Sequence, residues 1–227
     1  MELILASNSP RRRYLLGFMG WDFQVIPADV DERILPGEAP ADYVLRLAQS
    51  KARTVGAQIE RDAVIVSADT TVVDGDDIIG KPLDCEDAER MLRRLRGRVH
   101  QVYTAVAALR SGENEILVEL ATTDVPMRQY SDEEIREYIS SGDPLDKAGA
   151  YAIQHAGFHP VEDLQGCYAN VVGLPLCHLT RMLIKMGIAS SPFGGGSRWG
   201  SERLPDICLS ALEYRCPIYK PILRKNL

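Results

Sequence analysis

Along the first 188 residues, apolar positions recur with a period that switches between about two and about 3.6, the mark of strands and helices taken in turn. Residues 3–6 form a short apolar run that predicts a buried strand. Ser9 and Pro10 then open a helix to residue 19, with Ser9 as N-cap, Pro10 at the first helical position and Gly20 as its stop. Residues 23–27 predict a second strand. After a loop through Pro36 and Gly37, residues 42–59 predict a helix whose Val44, Leu47, Ala48 and Val55 share one face, with Lys51 in its middle. Residues 63–68 have strand composition, and Asp69 is expected at the strand's C-terminal end, where α/β sheets hold ligands. Asp74-Gly75-Asp76 reads as a hairpin turn before Ile78 and Ile79.

The second half continues the pattern. A helix over 86–96 ends at Gly97, and residues 99–109 and 116–125 predict an antiparallel hairpin about Ser111-Gly112-Glu113-Asn114, so the sheet is expected to be mixed. Ser131 with Glu134 forms a capping box for a helix to residue 141, and Gly173-Leu174-Pro175 precedes a last helix over 176–186. Residues 189–197 have linker composition, and no sustained periodicity follows. The expected organisation is one α/β domain over 1–188 and a linker and tail over 189–227.

Composition narrows the function classes. The 227 residues carry 26 Lys and Arg against 32 Asp and Glu, a formal net charge of −6. That balance disfavours a nucleic-acid partner, whose affinity rests on neutralising phosphates. The N-terminus lacks a basic region and a long apolar run, so a cytoplasmic protein without a membrane partner is expected. Five scattered cysteines show no C-x-x-C and no Cys/His spacing for zinc. The glycine-rich phosphate loops, the G-x-S-x-G elbow and the H-E-x-x-H zinc motif are also absent.

Three segments could carry chemistry. Ser7-Asn8-Ser9-Pro10-Arg11-Arg12-Arg13 places hydroxyls and arginines about a helix N-terminus. Cations there oppose the helix dipole, so an anion is one explanation and a solvated arginine surface the other. Asp69 with Thr70, followed by Gly80-Lys81-Pro82, pairs a carboxylate with a lysine. Such a pair can hold a metal, activate water and neutralise phosphate, although a strand-end Asp can equally cap a turn. The run 143–154 is a polar loop leading through small residues into a strand-like segment. Gln154 could read a base edge there, while Asp146 and Lys147 could simply pair in a turn. His100, His155, His159 and His178 form no triad-like or metal-like pattern and are expected to be structural or surface residues.

Taken in order, these segments resemble the Maf family of nucleoside triphosphate pyrophosphatases. The resemblance runs from residue 3 to about 188. It is carried by Leu5-Ala6-Ser7-Asn8-Ser9-Pro10-Arg11-Arg12, Glu32 in Asp29-Val30-Asp31-Glu32, Lys51, Ala68-Asp69-Thr70, Gly80-Lys81-Pro82, the segment 97–106, Asp146-Lys147-Ala148-Gly149-Ala150-Tyr151 and Val172-Gly173-Leu174-Pro175.

The resemblance implies an elongated mixed β-sheet flanked by helices, similar to inosine triphosphate pyrophosphatases. It implies cleavage of a nucleoside triphosphate between its α and β phosphates with a divalent metal cation, Mg2+ first and Mn2+ or Co2+ as alternatives. It makes Asp69 the proton acceptor and, with Glu32, the metal-binding pair. Lys51 and Lys81, joined by Arg12 and the Ser9 turn, stabilise phosphate charge. Substrate choice falls to Arg11, Thr70 and Gln154, and the Asp69-Thr70 pair looks like the dTTP/UTP branch. The alternatives are a 7-methyl-GTP-type pyrophosphatase and a nucleotide-binding regulator of cell division. A homodimer is also common in similar proteins. Two positions depart from the family pattern: His155 stands where Gly is common, and Cys167 where Ser is common.

Overall fold

A computed structural model describes residues 1–188 together with 208, 209, 212, 214, 216–218, 222 and 223. The chain runs β1 (Glu2–Leu5), α1 (Pro10–Phe18), β2 (Phe23–Val25), α2 (Pro40–Gly56), β3 (Ala63–Asp74), β4 (Asp77–Ile79) and α3 (Cys85–Leu95). It continues with β5 (Val99–Arg110), β6 (Ile116–Pro126), α4 (Asp132–Ser140), two 3-10 turns (Asp143–Asp146 and Ala148–Ala150), α5 (Tyr168–Val172) and α6 (Leu176–Lys185).

The sheet is mixed, as expected, with strand order β2-β1-β3-β5-β6 and β4 paired to the far end of β3. β1 is parallel to both β2 and β3, because α1 and α2 are the crossovers that return the chain. β3, β5 and β6 pair antiparallel.

One sequence expectation needs correction. Asp69 does not end its strand: β3 runs on to Asp74, because Val72 and Val73 find partners on both β4 and β5. The ladder with β1 nevertheless stops at Leu5 opposite Val66. Asp69 therefore stands just past the carboxyl end of the parallel part, at the opening left where β1 leaves the sheet.

Alternation along β3 assigns its side chains to two layers. Val64, Val66 and Ala68 pack with α1, α5 and α6, against Leu15, Leu16, Leu174 and Leu179. Ala63 and Ile65 pack with α2, against Val44, Ala48, Ala52 and Val55. A third cluster, at the β4 end, joins α3 and α4 through Leu92, Leu95, Ile135 and Tyr138. Asp69 continues the α2 face and Thr70 the α1 face, so two adjacent residues serve opposite sides of the sheet.

The expected strand-like segment after Asp146 is absent. Gly149 takes a left-handed φ of 71° and its N–H donates to the Gly80 carbonyl at 2.9 Å, which turns the chain instead of extending it. The expected linker, 189–197, lies outside the described residues. Beyond it, Leu212, Ile218, Ile222 and Leu223 pack against the α1/α6 layer. The Tyr214 hydroxyl lies 2.8 and 2.9 Å from the carbonyl oxygens of Leu164 and Gly166.

Of the four histidines, His100 is built into the core and His155 lines the cleft described below. His100 is buried, its Nε2 lies 2.8 Å from the Tyr151 hydroxyl, and burial pushes its imidazole from 6.5 down to about 4. Below pH 6.5 the unfolded chain takes up a proton that the folded chain refuses until about pH 4. Stability attributable to this group therefore falls across that window, by ~3 kcal/mol in all, and levels off below it. Urea unfolding at pH 7 and pH 4.5 should show a larger loss for the wild type than for His100→Gln. Equal losses would remove His100 from the account.

Candidate active site

The opening beside β1 leads into a cleft of about 1110 Å3, and all nine residues singled out from the sequence line it: Ser9, Arg11, Arg12, Glu32, Lys51, Asp69, Thr70, Lys81 and Gln154. Three are in direct contact on the α2 side. Lys51 Nζ lies 2.6 Å from Asp69 Oδ1 and 2.6 Å from Glu32 Oε1. This contact follows from helix-on-strand packing. Ser67 Oγ donates to the Ala48 carbonyl at 2.6 Å, and one turn later Lys51 meets Asp69, two residues along the same face of β3.

Glu32 comes from the loop between β2 and α2, and α2 itself holds that loop. The Tyr43 hydroxyl donates to the Glu32 carbonyl at 3.0 Å. Arg46 donates to the Glu38 carboxylate, at 2.8 Å for its Nη2, and to the Arg33 carbonyl at 3.0 Å.

The two carboxyls have different electrostatics. Burial pushes the Asp69 carboxyl above its ordinary range, and the opposing charges of Lys51 and Arg12 do not cancel that effect. Burial acts on Glu32 too, but Lys51, Lys81 and Arg12 together hold it below the usual range. A raised Asp69 beside a lowered Glu32 separates a group suited to accepting a proton from one suited to remaining anionic.

Across the sheet, the arginine run divides. Arg13 is directed at the Asn8 carbonyl, 3.3 Å away, and belongs to the surface. Arg12 is tied into the floor: Nε donates to the Gly173 carbonyl at 2.9 Å, Nη2 to Thr70 Oγ1 at 3.0 Å and Nη1 to Ser7 Oγ at 3.4 Å. Gly173 ends α5 with φ of 119°, and a Cβ there would stand 3.3 Å from Thr70 Oγ1, so glycine suits both the backbone and the close approach. Ser9 Oγ accepts from the Arg12 N–H at 3.4 Å as N-cap of α1.

In the third segment the expected pairing of Asp146 with Lys147 is present. Lys147 Nζ pairs with Asp146 at 2.6 Å and Asp143 at 3.0 Å, and the same turn lines the cleft with Gln154 and His155. Sequence reasoning missed Tyr43, Thr104 and Asn170, whose contributions are hydrogen bonds made from buried or ordinary-looking positions. Among the described residues no group of three or more His, Cys, Asp and Glu side chains could hold a metal ion. Asp69 and Glu32 are instead two hard oxygen donors brought together by one lysine. That set fits a cation whose remaining positions are filled by water and phosphate oxygens.

Over 189 residues the chain is 50% identical to a dTTP/UTP pyrophosphatase of Anaeromyxobacter dehalogenans, covering 82% of this chain and 94% of that protein. It is 48% identical over 187 residues to a dTTP/UTP pyrophosphatase of Dictyoglomus turgidum, covering 82% and 96%. A solved structure of a nucleoside-triphosphatase / dITP/XTP pyrophosphatase from Mycobacterium abscessus aligns with a TM-score of 0.40 at 14% identity, over 82% of this chain and 94% of that one. The family described as Maf-like protein matches residues 2–186, and with that coverage the chain belongs to the Maf-like family.

Proposed function

We propose that this protein hydrolyses dTTP and UTP between the α and β phosphates, giving the monophosphate and pyrophosphate. The observation that carries the proposal is Lys51 held between Asp69 and Glu32 at 2.6 Å each, on the wall of a cleft that also gathers Arg11 and Lys81. The names of the relatives that are about half identical supply the substrate class.

In this reading Asp69 accepts the proton of the attacking water, for which its raised carboxyl pKa suits it. Lys51 holds Asp69 in place and, with Lys81 and Arg11, balances the charge that builds on the phosphates. Arg12 acts from the floor, fixing Thr70 and the Ser7–Ser9 turn. Arg11, Thr70 and Gln154 face the nucleoside. Asp69 and Glu32 would hold a divalent cation, Mg2+ in the first place. When bound, that ion neutralises phosphate charge and polarises the reacting phosphoryl group.

The activity resides in residues 1–188, from which every residue named here comes. No described helix is long and apolar enough to cross a membrane. Product analysis tests the proposal. With UTP and Mg2+ the protein should release UMP and pyrophosphate in equal amounts. UDP with inorganic phosphate would overturn the assigned bond.

A further inference from the structure

Behind Thr70 lies a chain of hydrogen bonds whose proton directions are fixed. Thr104 on β5 stands directly opposite Thr70 on β3, is fully buried and does not line the cleft. Its hydroxyl donates to the Asn170 carbonyl at 3.0 Å, and a carbonyl can only accept. Asn170 is itself pinned by its side-chain amide, which donates to the Val102 carbonyl at 3.0 Å and to Thr123 Oγ1 at 2.8 Å.

Thr104 has one proton and has spent it on Asn170. In the 2.9 Å contact between Thr104 Oγ1 and Thr70 Oγ1, Thr70 is therefore the donor. Arginine can only donate, so Arg12 Nη2 takes one lone pair of Thr70 Oγ1 at 3.0 Å. The Thr70 hydroxyl thus reaches the cleft with its proton turned away and one lone pair to offer.

We propose that Thr104 is a positioning residue which makes Thr70 an acceptor-only group, so that this part of the cleft selects a nucleotide that brings an N–H to it. The inference rests on the hydrolase reading and deepens its substrate choice. Phosphate oxygens and base carbonyls carry only lone pairs and are disfavoured beside such a group. The N3–H of uracil and thymine supplies the missing proton, whereas cytosine presents an unprotonated N3 at the same ring position. A neutral hydrogen bond of this kind discriminates by roughly five- to ten-fold.

Binding of α,β-methylene analogues of UTP and CTP to the full chain, which needs no turnover, tests this directly. The wild type should prefer the UTP analogue. Thr104→Val releases the Thr70 proton to rotate toward the cleft, and should cut the UTP:CTP preference by roughly five- to ten-fold. Thr104→Ser keeps the hydroxyl and should stay within about two-fold of the wild type. If Thr104→Val does not fold, Thr104→Cys, with its weak S–H donor, should shift the ratio in the same direction. Two affinities that fall together at constant ratio, or a wild type that binds both analogues equally, would overturn the proposal. Failure of the hydrolase reading is separately visible as no pyrophosphate from UTP with the wild type.

Discussion

Asp69→Asn should fold, bind UTP and hydrolyse it ~10³-fold more slowly than the wild type, the range expected when a general base is removed. The amide keeps the size of the carboxylate and offers Lys51 an oxygen at the same place, but it cannot take a proton from water. The same variant should gain stability or lose none. Burial raises the Asp69 carboxyl pKa, so the folded state disfavours the ionised form. An acid whose folded pKa is raised contributes stability below its unfolded pKa and loses that contribution as the pH climbs through the raised value. At neutral pH a neutral isostere escapes that penalty. Thermal unfolding should then show a Tm no lower than the wild type's, a trade of stability for activity at the reacting carboxyl. A folded variant with more than a tenth of wild-type activity would remove Asp69 from the role given to it, and a variant that does not fold would overturn the stability prediction.

Lys51→Met should be the most destabilising change in the cleft. Its ammonium is the group that joins Asp69 and Glu32, and the side chains of Lys51 and Asp69 are 10% and 9% exposed, so water cannot replace it freely. Removing one partner of such a pair costs ~3–5 kcal/mol, because the remaining charge stays buried without compensation. For a chain of this size that corresponds to a fall in Tm of roughly 10 °C. The cost should depend on Asp69. In the Lys51→Met, Asp69→Asn double variant the unpaired carboxylate is gone, and more than half of the lost stability should return. A double variant as destabilised as Lys51→Met alone would show that Lys51 supports the fold by packing its stem instead.

Much of this was legible in the sequence, for reasons that differ by element. The α2 helix is visible because its apolar face is broken only by Lys51. The hairpin of β5 and β6 is visible because two long strand-like runs flank a glycine turn. The full length of β3 is not visible, since a strand buried on both faces has no alternation to mark its end and Asp69 reads as a stop. Residues 151–154 look extended because Tyr151, Ala152 and Ile153 make a short apolar run of strand composition, and only the left-handed Gly149 and its bond to Gly80 reveal the turn before them.

The chemistry divides in a similar way. Charged residues that line the cleft stand out one by one, yet the contact of Lys51 with both acids depends on how α2 lies across β3. Thr104 and Asn170 carry no outward sign. A buried threonine in a strand is ordinary, and its importance lies in where its single proton goes. The direction of a hydrogen bond is a property of the assembled structure.

The central claim is that the cleft acts on the α–β bond of a uracil or thymine nucleotide. It is tested most directly by kcat/KM for dTTP, UTP and 7-methyl-GTP, with pyrophosphate release as the readout and Mg2+ present. The account predicts that dTTP and UTP exceed 7-methyl-GTP by at least about ten-fold, the scale of one net hydrogen bond. A value for 7-methyl-GTP equal to or above theirs would contradict it.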